Sequence, residues 1–182
     1  MEGSKRVSIL RIVKITAVFI GGFIFACVLI VVFLFANLMT REMKERNIIQ
    51  ARLLCGTDHQ VLLEACWELS RRVSAGDLES GNYYIRTQPD HQASQFPQVI
   101  LDLAPNYVFI DENDSGRVVL EMRGGLDHFG VTAYTEDYME SGPKHEYGDR
   151  ELIPGLWYYD NGYFNNPEYD KKIDELIKEH KK

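Results

Sequence analysis

Three cysteines in 182 residues are too few for a disulfide framework, and the catalytic signatures that would name a chemistry are absent too. There is no G-x-S-x-G, H-E-x-x-H, C-x-x-C, phosphate loop or dinucleotide fingerprint, and no motif calls for a cofactor. Internal repeats are missing, and so is any Lys/Arg-rich stripe. Residues 1–39 hold four basic side chains and one acid, net +3, whereas residues 40–182 hold 16 basic and 26 acidic ones, net −10. So acidic a body repels phosphate backbones, which excludes nucleic acid as a partner. Hydrophobic residues still make up 45% of the chain, enough to exclude a wholly disordered protein.

Charge is also lacking over 25 consecutive residues, Ile15 to Met39. As a helix this run is about 37 Å long against a hydrocarbon core of about 30 Å. A cleavable signal would have a shorter apolar region, of about 7–15 residues, and small residues at its end; Phe35-Ala36-Asn37-Leu38 offers no such site. Ile24-Phe25-Ala26-Cys27 fits a lipobox poorly because of Phe25, and uncharged sequence continues past Cys27 to Met39. The expectation is therefore an uncleaved, single-pass transmembrane helix. Lys5, Arg6, Arg11 and Lys14 before it balance Arg41, Lys44, Arg46 and Arg52 after it, so basic residues alone do not fix orientation. Moving the basic tail across the usual potential costs about 2.3 kcal/mol per charge per 100 mV, which places the N-terminus in the cytoplasm and the C-terminal domain outside. Ala17/Gly21 and Gly22/Ala26 are small pairs at four-residue spacing, a pattern that lets helices associate closely.

Four regions follow: a basic tail (1–14), the membrane helix (15–39), a helical stalk or hairpin (40–75) and an α+β extramembrane domain (76–182). In the second helix of the hairpin, Thr57 and Gln60 form a capping-box signature, and Leu62, Ala65, Cys66, Leu69 and Val73 make one apolar stripe. With Cys66 in that stripe, too far along the helix to reach Cys55, free thiols are expected. Strand periodicity then predicts Tyr83–Arg86, Tyr107–Asp111, Arg117–Met122, Phe129–Thr135 and Leu156–Tyr159, with a short helix at Pro97–Leu103 and a last one after Asn166. Strands grouped between helices predict an α+β fold with a small antiparallel sheet packed with helices. An apolar helix ahead of such a sheet resembles the layout of pilins and pseudopilins. Those proteins carry a Glu in the apolar run at the place that Cys27 occupies here, and the run has no acid, so membership is excluded.

Several residues invite chemistry. Gly124-Gly125-Leu126-Asp127-His128-Phe129-Gly130 sets an acid beside a histidine among glycines, and His145 is a further candidate; acid–base or metal work there competes with a simple bulge. Asp111, Asn113 and Ser115 open a calcium-loop pattern, but its twelfth place holds Met122 instead of Glu, and Asx-Gly turn chemistry explains the same letters. Trp157, Tyr159 and Tyr163 sit in a late aromatic cluster suited to an interaction surface, with Leu156 and Tyr158 expected to face inward. The function expected is that of a non-enzymatic membrane-anchored domain that binds another protein or an envelope component. The alternatives are a tethered hydrolase or metal enzyme built on Asp127 and His128, and an extracytoplasmic sugar-binding module.

Overall fold

A computed structural model describes residues 2–87, 95–111, 116–123, 128–135, 150–161, 171, 173–175, 177 and 178, with the backbone alone for 2–19. Helix α1 (Glu2–Ala51) is a single 50-residue helix. The chain divides into two units, Met1–Asn47 and Ile48–Lys182.

In the first unit every described side chain from Ile20 to Glu45 is exposed, including Phe23, Val31 and Phe33. Apolar residues surround the helix on all sides, so no face is reserved for a protein core. This one helix is long and apolar enough to cross a membrane. Two polar side chains near the end of the apolar run bond to their own helix: Asn37 Nδ2 donates to Phe33 O at 2.9 Å and Thr40 Oγ1 to Ala36 O at 2.8 Å. Gly21 and Gly22 border open space.

In the second unit α1 ends in a π-helical turn, Arg52–Gly56. Thr57 Oγ1 and His59 Nε2 donate to the carbonyls of Arg52 and Leu53 that the turn leaves over. Helix α2 (His59–Ser74) begins at Asp58, whose carboxylate accepts from the Gln60 and Val61 amides. Asp58 therefore takes the capping role that the sequence pattern gave Thr57, because the Thr57 hydroxyl is spent on the π turn. Leu62, Ala65, Cys66 and Leu69 are buried as the stripe requires. No disulfide joins Cys27, Cys55 and Cys66, as expected.

Strand β1 (Gly81–Tyr83), helix α3 (Gln98–Leu103) and strands β2 (Tyr107–Ile110), β3 (Val118–Arg123), β4 (Phe129–Ala133), β5 (Arg150–Ile153) and β6 (Leu156–Asp160) follow among the described residues. Residues 171, 173–175, 177 and 178 are helical, and Ile173 enters the core. The sheet runs β1-β2-β3-β4-β6-β5 with every neighbouring pair antiparallel. The fold is thus α+β, as the grouping of strands and helices implied. Two strand expectations change. The first strand lies at Gly81–Tyr83, ahead of its expected place at Tyr83–Arg86, and β5 falls outside the strands that periodicity predicts. Pro154-Gly155 joins β5 to β6, with Gly155 at a φ of 88°, a conformation glycine adopts without strain.

One sheet face carries Val108, Ile110, Val118, Leu120, Met122, Phe129, Val131, Leu156 and Tyr158 into a core shared with α2 and α3. Trp67 fastens α2 to the sheet by donating from Nε1 to Tyr134 O at 2.7 Å. Burial of a polar group needs partners. Gln50 meets that need beneath β6: its Nε2 donates to the Tyr158 hydroxyl at 2.8 Å and to Asp160 Oδ2 at 2.9 Å, while Tyr158 donates to Asp160 at 3.0 Å.

Cys66 reports on this core. Burial pushes its thiol from 9.0 up to about 12, so the folded state keeps a proton that the unfolded state loses. The corresponding stability is complete below about pH 9 and is lost as pH rises toward 12, amounting to up to about 4 kcal/mol. Chemical denaturation of the wild type and Cys66→Ala is expected to give a stability difference that shifts in favour of Cys66→Ala across that window. A difference independent of pH from 8 to 11 would show that Cys66 is not enclosed.

Candidate functional site

The opposite, outer face of the sheet follows from alternation along each strand. It presents Tyr107 and Phe109 from β2, Val119 and Glu121 from β3, Gly130 and Thr132 from β4, and Trp157 and Tyr159 from β6. Register arranges these into rows. Tyr107 pairs with Glu121, Glu121 with Gly130, and Gly130 with Tyr159. The next row is Phe109, Val119, Thr132 and Trp157.

Glu121 is 3% exposed, an unusual state for a carboxylate on an outer face. Each of its oxygens has a donor. The Tyr159 hydroxyl donates to Oε2 at 2.5 Å, and His128 Nδ1 donates to Oε1 at 2.8 Å. Gly130 makes the first bond possible. A Cβ there would stand 2.0 Å from Leu120 O and 2.8 Å from the Tyr159 hydroxyl, so only glycine leaves the tyrosine a path across β4. The second bond comes from the diagonal neighbour of Glu121 across the pair. His128 is fixed just before β4 by Asn161 N donating to its carbonyl at 2.8 Å. Between Glu121 and Arg123 the ladder shifts register by a bulge.

Around this centre the face is dished into an open depression of about 580 Å³. Tyr107, Phe109, Tyr134 and Tyr159 supply rings, and Asn82, Thr132 and Asn161 supply uncharged polar groups. Burial first, then the charge of Glu121 and the nearby Tyr84, raise the Tyr107 hydroxyl above its ordinary 10.0, so it stays a protonated donor. The Arg117 guanidinium lies 5.7 Å from the Phe109 ring centroid and 3.8 Å from Asp111 Oδ2. Arg117 Nε is shielded from solvent and has no acceptor among the described residues.

His128, whose side chain is 42% exposed, therefore sits on the depression with its Nδ1 committed to a buried acid. With Nδ1 donating, Nε2 of the neutral ring carries a lone pair, an arrangement suited to accepting a proton or a hydrogen bond. Tyr159 joins His128 on the same carboxylate. Trp157 is half-buried on the same face, while Leu156 and Tyr158 are buried on the other. Asp111 contributes to the Arg117 pair. Asp127, His145, Tyr163, Asn113 and Ser115 lie outside the described residues. Among the described residues no three of His, Cys, Asp or Glu converge as a metal set. Sequence spacing did not single out Glu121, one acid in a strand of mixed residues; its only signal was its outward register between Val119 and Arg123. No protein-family model matches the sequence, and no curated protein or solved structure is significantly similar to it.

Two substitutions test this geometry by chemical denaturation. Tyr159→Phe leaves a buried carboxylate oxygen short of its donor and is expected to cost about 1–3 kcal/mol. Gly130→Ala collides with backbone, where no side-chain rotation relieves it, and is expected to cost at least about 2 kcal/mol. Losses below about 0.5 kcal/mol for both, within the range of neutral surface changes, would contradict the arrangement.

Proposed function

We propose that this chain is a non-catalytic, single-pass membrane protein, its N-terminus in the cytoplasm and its acidic domain outside, which binds an envelope component on the outer sheet face. The observation that carries the reading is the open depression centred on Glu121, His128 and Tyr159. The rings and planar polar groups around it suit contact, whereas a reaction centre needs a further reacting group that the described lining lacks. Trp157, on the same face, extends the proposed surface. The charge-free run of α1 and its all-round apolar surface support the anchor. Its Ala17, Gly21, Gly22 and Ala26 positions suit self-association in the bilayer.

A second reading, a tethered hydrolase, draws on one observation: a buried carboxylate holds His128 as it would a general base. Hydrolysis of an ester or glycoside panel that His128→Asn abolishes, with the fold retained, would favour it.

Full-length protein is expected to stay with membranes through alkaline carbonate extraction. Protease added outside sealed cells is expected to digest the acidic domain and leave a protected N-terminal fragment. Release by carbonate would end the anchor reading, and a domain protected until lysis would reverse the orientation.

A further inference from the structure

We infer that the ligand of the outer sheet face is an uncharged oligosaccharide, an inference that rests on reading that face as the binding surface. Charge argues first. Among the described residues, and apart from tyrosine, the ionisable groups lining the depression are Arg117, Glu121 and His128. Glu121 is met by His128 and Tyr159, and Arg117 lies beside Asp111 and over Phe109. The described lining therefore carries one fixed charge of each sign, Arg117 and Glu121. With one charge of each sign on the face, neither an anionic nor a cationic ligand gains over a neutral one.

The mixture of surfaces argues next. Rings of Tyr107, Phe109 and Tyr134 line the depression together with Asn82, Thr132 and Asn161. A sugar ring has the matching anatomy, with C–H patches that pack on aromatic faces and hydroxyls that both donate and accept. Asparagine amides and a threonine hydroxyl supply both functions, and the His128 Nε2 lone pair adds an acceptor.

Backbone commitment decides against an extended peptide. β2, β3 and β4 are interior strands with neighbours on both sides, so their amides and carbonyls are used in the ladder. Main-chain recognition of a peptide strand takes place at a sheet edge, which among the described strands is β1 or β5, and not over this depression. A ligand seated on the face has to be read by side chains alone.

Full-length protein in lipid nanodiscs, applied to an array of neutral and acidic oligosaccharides and titrated calorimetrically with the neutral hits, tests the inference. Saturable binding of a neutral glycan is expected. Tyr107→Leu and Phe109→Leu are each expected to weaken it by about tenfold or more, and the exposed edge substitution Asn82→Ala, which leaves the core untouched, is expected to weaken it less. Val61→Ala, on the solvent side of α2, is expected to leave it unchanged. Binding of only acidic glycans or of peptides, sensitive to the same substitutions, would overturn the ligand class and leave the face reading standing. A dimer that Tyr107→Leu dissociates would assign the face to a second copy of the chain, and a Tyr107 ring inert to nitration in the free monomer would assign it to a segment of the chain itself. Either result overturns the inference. If no glycan binds and no ligand of the full chain responds to substitutions on this face, the inference and the reading beneath it both fail.

Discussion

A carboxylate buried on the open side of a sheet has to find donors for both oxygens, and much of the domain's outer face is arranged around that need at Glu121. Within the sheet the immediate neighbours of Glu121 are Tyr107 and Gly130. Gly130 offers no side chain, so the donor comes from one strand further away, where Tyr159 reaches over the gap. The other donor comes from His128, outside the regular ladder but held there by Asn161. One acid thereby fixes a tyrosine from β6 and a histidine from the entry to β4, and leaves an aromatic depression beside them.

Strand β6 is shaped by requirements on both of its faces. Tyr159 serves Glu121 on the outside, while Tyr158 and Asp160, its neighbours in sequence, close a buried hydrogen-bonded triangle with Gln50 on the inside. Alternation makes this possible, since adjacent strand residues point to opposite faces. A slip of one residue would send Asp160 to the open face and Tyr159 into the core, breaking both arrangements. Polar groups thus hold the register of β6 from both sides, in addition to the apolar packing of Leu156.

Much of the fold was legible in the sequence because period and punctuation carried it. The stripe in α2, the switch to alternation after Pro105 and the apolar strands β2, β3 and β4 all follow from local patterns, and the division of Leu156-Trp157-Tyr158-Tyr159 between two faces follows from strand geometry alone. Strand β5 did not, since Arg150-Glu151-Leu152-Ile153 is short and half charged; its one signal was the Pro154-Gly155 turn that returns the chain into β6. The centre of the site was only half visible. His128 and Gly130 stood out within a glycine-rich stretch, but the partner they serve, Glu121, is defined by cross-strand register and by a bulge, which no local pattern encodes. A two-residue spacing between His128 and Gly130 acquires meaning only once β3 lies alongside.

The most direct test of this account is the protonation pattern of one imidazole. With the full-length chain labelled with 15N-histidine in nanodiscs, the neutral His128 ring is expected to be the Nδ1–H tautomer, with a pyridine-type resonance from Nε2, because the Glu121 carboxylate can only accept. Observation of the Nε2–H tautomer, with Nδ1 unprotonated, would mean that Glu121 does not hold this ring and would contradict the arrangement on which the site is built.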